Sequence, residues 1–129
     1  MTREVIQTDK APKAIGPYSQ AIKIDGFLFT SGQIALNPAT GKLIDGNVSA
    51  QTRQVLENLK AVLEAGGSSL DRVVKATVYL TDLSTFSRMN EIYAGYLGHT
   101  KPARSTVGVA ALPLGASVEI ELVALGPLA

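Results

Sequence analysis

The chain has 129 residues, 46% of them hydrophobic, with 12 Lys plus Arg against 11 Asp plus Glu for a formal charge of +1. That length supports one compact domain with a real core and is short for two, so a single domain over residues 1–129 is expected. Balanced charge offers no field to draw in a phosphate backbone or an anionic membrane, and the absence of cysteine excludes disulfides, thiolate nucleophiles and Cys-ligated metals.

Met1 to Lys10 alternates charged and polar residues without an apolar stretch of signal-peptide length, and no run reaches the roughly 18 apolar residues of a membrane span. The reading is a soluble, cytoplasmic protein. Tyr18 to Ile24 and Phe27 to Gln33 are apolar-rich runs around Asp25-Gly26, a dipeptide that supplies the positive φ angles of a type I′ hairpin. Asn37-Pro38 and Thr40-Gly41 mark a loop. A helix follows Gly46 to Ser49, with Val55, Leu56, Leu59, Val62 and Leu63 on one face, and Gly66-Gly67 stops it in a left-handed conformation.

Arg72 to Leu80 is predicted as a strand with Val74, Ala76, Val78 and Leu80 on one side and Val73, Lys75, Thr77 and Tyr79 on the other. Asp82 or Ser84 can cap a second helix in which Phe86, Met89, Tyr93 and Tyr96 recur at helical spacing, ending near Gly98. Arg104 to Val109 and Ser117 to Leu125 complete the order as two strands, hairpinned around Leu112-Pro113-Leu114-Gly115. This order predicts an α+β domain with both helices on one face of a mixed sheet. Val73, Val123 and Leu125 remain on the other face, and a closed symmetric oligomer is the simplest way to cover them.

The chemistry centres on the last two strands. Arg104 carries a planar fork of donors suited to a carboxylate, and a glutamate can orient or deprotonate a water. With a hairpin between these strands, Arg104 lies near Glu119 or Glu121. A plain cross-strand salt bridge, contributing roughly 0.2 to 1 kcal/mol, explains the same pattern. Glu119 and Glu121 share one face, about 7 Å apart, as a site or as a solvated strand face. Gly32 permits close approach of a ligand or simply marks a bulge after Ser31. Tyr18 offers a hydroxyl to a ligand or to backbone, and the Asn90 amide faces a pocket or bonds locally. His99, the only histidine, reads as a surface or C-cap residue. No motif supplies a metal site, a dinucleotide fingerprint, a P-loop or a serine nucleophile.

Ile15-Gly16-Pro17-Tyr18, Thr30-Ser31-Gly32-Gln33, and Pro102-Ala103-Arg104-Ser105 through Leu112-Pro113 to Val118-Glu119-Ile120-Glu121 resemble the Rid family of RidA-type (YjgF-type) reactive intermediate deaminases, in order and along nearly the whole chain. The resemblance implies a chorismate-mutase-like α+β fold and a homotrimer with active sites between subunits. It implies hydrolysis of 2-imino acids such as 2-iminobutanoate and 2-iminopropanoate, released by pyridoxal-phosphate enzymes, to 2-keto acids and ammonia, with no cofactor in this protein. By the same carry-over Arg104 holds the substrate carboxylate, Glu119 handles the attacking water, the backbone carbonyl of Thr106 assists, and Tyr18, Ser31, Gly32 and Asn90 complete the pocket. Many relatives carry cysteine where this chain has Thr106, which removes thiol chemistry here. Two alternatives stand beside this reading. One is an RNA-acting translation inhibitor, for which 5% aromatics and no basic run provide little footing. The other is a non-catalytic trimer that binds small carboxylates as a sensor or holdase.

Overall fold

The computed structural model describes residues 2–127. Part of the polar start forms a strand that the sequence pattern does not reveal: β1 (Glu4–Ile6) buries only Ile6 and pairs antiparallel with β2 (Ala21–Ile24). Ile6 joins Ala11, Ala21 and Val62 in a small apolar cluster. Asp25 and Gly26 take φ of 51° and 84°, the type I′ turn whose twist matches paired strands, and connect β2 to β3 (Phe27–Thr30).

This hairpin is shorter than expected at both outer ends. Tyr18 stays in the loop before β2, and the ladder beyond β3 is interrupted because the Thr30 hydroxyl accepts the Leu122 N–H at 2.9 Å in place of a backbone carbonyl. Pairing resumes only where Gln33 and Ile120 exchange backbone hydrogen bonds of 2.9 and 3.1 Å. Ser31 and Gly32 are thereby bulged out of the ladder.

Helix α1 (Val48–Ala65) begins where the Asn47 side chain accepts the Ala50 N–H at 3.0 Å. It ends where Ser68 N–H reaches back to Leu63 O (2.9 Å) and Gly67, at φ 81°, to Glu64 O (3.1 Å), the left-handed stop that glycine favours. Val55, Leu56, Leu59, Val62 and Leu63 are all fully buried, at about 1.5–3 kcal/mol per side chain removed from water.

Strand β4 (Val73–Leu80) corrects the expected faces at its start. A bulge between Val73 and Lys75 inserts Val74 as an extra residue, so Val73 turns into the core at 5% exposure and Val74 turns out at 38%. From Ala76 onward the expected alternation holds. A 3-10 turn (Leu83–Thr85), capped by Asp82 through the Ser84 N–H at 2.9 Å, leads into α2 (Phe86–Leu97). The final strands are β5 (Ala103–Gly108) and β6 (Val118–Leu125).

The six strands form one mixed sheet in the order β1-β2-β3-β6-β4-β5, parallel only between β4 and β5. The expected hairpin between β5 and β6 is absent, because α2 acts as the crossover that lays β5 parallel beside β4. Eight-residue β6, with Val118, Ile120, Leu122 and Ala124 buried, takes the protected place between β3 and β4. Exposed, Ser/Thr/Gly-bearing β5 becomes an edge. Both helices pack on one face, against these β6 residues and Ala76, Val78 and Leu80. The opposite face leaves Phe27, Phe29 and Leu125 exposed with Val123 half-buried. No helix among the described residues is long and apolar enough to cross a membrane.

Candidate active site

Arg104 pairs with Ala76 across the β4/β5 ladder and therefore points to the helix side of the sheet. Its Nη1 donates to Asn90 Oδ1 at 2.6 Å, and its guanidinium carbon lies 4.7 Å from the Tyr93 ring centre and 5.4 Å from that of Phe86. Phe86, Asn90 and Tyr93 are one stripe of α2, spaced by four and three residues. Two aromatic faces and an amide thus fix the plane of a cation that stays exposed. The guanidinium borders a cleft lined by Asn90, Tyr93, Leu97, Lys101 and Pro102.

Thr106 follows two residues along the same face of β5, opposite Val78. Its hydroxyl and that of Tyr93 are buried without a hydrogen-bond partner among the described residues. Burial raises the Tyr93 pKa, against the opposing charge of Arg104, so this phenol remains protonated at neutral pH.

Glu119 lies on the other side of the sheet. It alternates with buried Val118 and Ile120 and pairs with Tyr79, so it faces away from both helices. The bulge at Ser31-Gly32 carries backbone against it: a Cβ on Gly32 would fall onto the Glu119 carboxylate. Burial first, and then the negative charge of Glu121, raise the Glu119 pKa. This acid binds its proton more tightly than a free glutamate.

The cleft at Glu119 is walled by Ile15, Tyr18, Gly32, Ile34, Pro113 and Leu114. Tyr18 is exposed, its hydroxyl accepting the Ile15 N–H at 3.3 Å. The Ser31 hydroxyl donates to Ser19 O at 2.5 Å while its N–H donates to Gln20 O at 2.9 Å. Ser31 thus ties the bulge to the segment that bears Tyr18.

The expected neighbourhood of Arg104 with Glu119 or Glu121 does not occur within one chain. Strand β4 separates β5 from β6, and the register sends Arg104 and Glu119 to opposite faces. Glu121 has no arginine partner; it accepts a hydrogen bond from the Tyr79 hydroxyl. The expected residues therefore form two groups, Arg104 with Asn90 and Thr106, and Glu119 with Gly32, Ser31 and Tyr18. Phe86 and Tyr93 were legible only as helix-face residues, because periodicity does not tell an aromatic that packs in a core from one that also stacks on a cation. Gln20 also escaped notice: it is 3% exposed, accepts from Thr8 N–H and donates to Thr8 and Pro12 carbonyls, pinning the loop that leads to Tyr18.

The family model described as Endoribonuclease L-PSP matches residues 8–126. A RutC family protein of Pyrococcus horikoshii is 57% identical over 122 residues, covering 95% of this chain and 97% of its own. The crystal structure of RidA from the Antarctic bacterium Psychrobacter sp. PAMC 21119 superimposes with a TM-score of 0.91 at 50% identity, covering 95% of this chain and 98% of that one. The chain belongs to the Rid family. Among its Rid relatives, the bovine protein named 2-iminobutanoate/2-iminopropanoate deaminase is 46% identical over 129 residues, 99% of this chain and 94% of its own. In this Rid chain Thr106 keeps the strand geometry of its position, with a hydroxyl as its side-chain function.

Proposed function

We propose that this Rid protein hydrolyses small 2-imino acids, 2-iminobutanoate and 2-iminopropanoate, to 2-keto acids and ammonia in the cytoplasm. The reaction takes place at sites assembled between subunits of a homotrimer. The observation that carries the proposal is the separation of Arg104 and Glu119 onto opposite faces of one sheet. Each borders an open cleft, and a neighbouring copy supplies the missing half of each. The deaminase name of a relative matched over nearly its full length supports the substrate class.

In the assembled site the Arg104 fork takes the substrate carboxylate with two charge-assisted bonds, its plane already fixed by Asn90, Tyr93 and Phe86. Glu119, from the other subunit, accepts a proton from a water as the water oxygen bonds to the imine carbon. The C=N π electrons become the nitrogen lone pair, and protonation of that nitrogen gives the carbinolamine. Transfer of the hydroxyl proton to nitrogen through Glu119 then breaks the C–N bond, releasing ammonia and leaving the keto acid. The raised Glu119 pKa suits both directions of transfer. The Thr106 carbonyl, on the same edge strand as Arg104, assists in holding the water, while Tyr18, Ser31 and Gly32 close the Glu119 side. An imine is already electrophilic, so proximity supplies most of the required acceleration.

The test generates 2-iminobutanoate with a threonine dehydratase and traps it with semicarbazide. Wild type should suppress the adduct in proportion to its concentration, and Arg104→Ala should not. An adduct unaffected by wild type, with carboxylate binding retained, would replace hydrolysis by a binding-only role.

A further inference from the structure

Alternation along β6 puts Glu119 and Glu121 side by side on the open face, where Tyr79 of β4 is the ladder partner of Glu119 and Thr77 that of Glu121. The Tyr79 ring does not serve its own partner: its hydroxyl leans along the strands to donate to Glu121 Oε1. Among the described residues of one chain neither carboxylate has a basic group at ion-pair distance; in the proposed assembly the neighbouring copy's Arg104 faces Glu119 across the cleft, in wild type and in the test variants alike. Lys75, on the same face of β4, reaches Ser105 instead at 3.3 Å. From the loop before β2, Lys13 and Tyr18 line the Glu119 cleft.

We propose that Glu121, held by the Tyr79 hydroxyl, is a positioning residue that assigns the exchangeable proton of this carboxylate pair to Glu119. The proposal rests on the reading of Glu119 as the group that handles water. Two like charges on adjacent same-face positions of a strand resist simultaneous ionisation, so one of them takes up a proton first as pH falls. A donated O–H stabilises the charged form of whichever carboxylate receives it, and Tyr79 gives its proton to Glu121 alone. Glu119, packed on Gly32 and without such a donor among the described residues, is left as the proton carrier. The raised pKa of Tyr79, caused chiefly by this hydrogen bond, and that of Glu119 agree with the assignment. The identity of residue 79 thereby becomes a control on the working pH of the site, although Tyr79 need not touch substrate.

The experiment is a carboxyl-carbon NMR titration of the intact protein labelled with 13C at glutamate Cδ, in wild type, Glu121→Gln and Tyr79→Phe. Glu119 is identified by the signal lost in Glu119→Gln. Both test substitutions preserve side-chain size at half-buried positions, so the fold is retained. Glu121→Gln should lower the Glu119 midpoint by about half a pH unit, the effect of a like charge ~7 Å away in a wet environment, and Tyr79→Phe, which frees Glu121 to share the proton, should lower it as well. A Glu119 midpoint unmoved in either variant overturns the proposal. Turnover separates it from the wider reading. If the Glu119 midpoint moves but the acid limb of kcat/KM does not follow, the proton assignment stands and Glu119 is not the base for water.

Discussion

The guanidinium of Arg104 works through its plane. Stacked at 4.7 Å from Tyr93 and bonded to Asn90 at 2.6 Å, it presents its remaining donors in one orientation, which a flexible ammonium does not reproduce. Arg104→Lys keeps the charge and loses the fork. The expected outcome is KM for the imine raised about tenfold, the loss of about 1.5 kcal/mol that one charge-assisted hydrogen bond contributes, with the oligomeric state unchanged by size-exclusion chromatography. Gly32 acts by what it lacks. Gly32→Ala pushes a methyl group into the Glu119 carboxylate, so turnover should fall by about 10- to 100-fold, the scale of cost for displacing a reacting group, while circular dichroism shows the fold retained. Of these two residues, the arginine is singled out by its residue type and local motif. Gly32 read as a bulge or as a point of close approach by a ligand or another backbone; the structure shows the bulge, which carries backbone against the Glu119 side chain.

At the scale of elements, local signals carried the hairpin at Asp25-Gly26, the α1 stripe and its Gly66-Gly67 stop, because each depends on residues a few positions apart. What the sequence hid is non-local. Val73 and Val74 read as simple alternation, and only the partner strand β6 reveals the bulge that exchanges their faces. No local pattern marks α2 as a crossover, so β5 and β6 read as a pair, although β4 lies between them. β1 escaped because one buried residue in three leaves no pattern. The loop between β1 and β2 depends on a single buried amide. Gln20→Ala removes its hydrogen bonds to Thr8 and Pro12 and leaves buried backbone groups unpaired, at about 1–3 kcal/mol each. Urea unfolding should show a loss of about 2 kcal/mol or more, and Tyr18 should become more mobile by NMR relaxation.

For the whole molecule the decisive observation is that the sheet has one covered face and one open face, with the residues of the proposed chemistry divided between them. Arg104 sits at the helix-covered edge and Glu119 on the open side, beside a surface where Phe27 and Phe29 are 40% and 45% exposed. A protomer alone leaves apolar strand surface in water, and the proposed cyclic assembly covers it while joining the Arg104 cleft of one copy to the Glu119 cleft of the next. The sequence pattern pointed to a face in need of a cover, whereas the division of Arg104 and Glu119 between two faces follows from register rather than composition. The most direct test mixes two inactive variants, Arg104→Ala and Glu119→Ala, by joint unfolding and refolding at equal concentration. In random trimers about one site in four joins an intact Arg104 to an intact Glu119 of its neighbour, so imine hydrolysis should return to about a quarter of the wild-type rate. A mixture as inactive as its parents, with mixed trimers verified by native mass spectrometry, would contradict a site built between subunits.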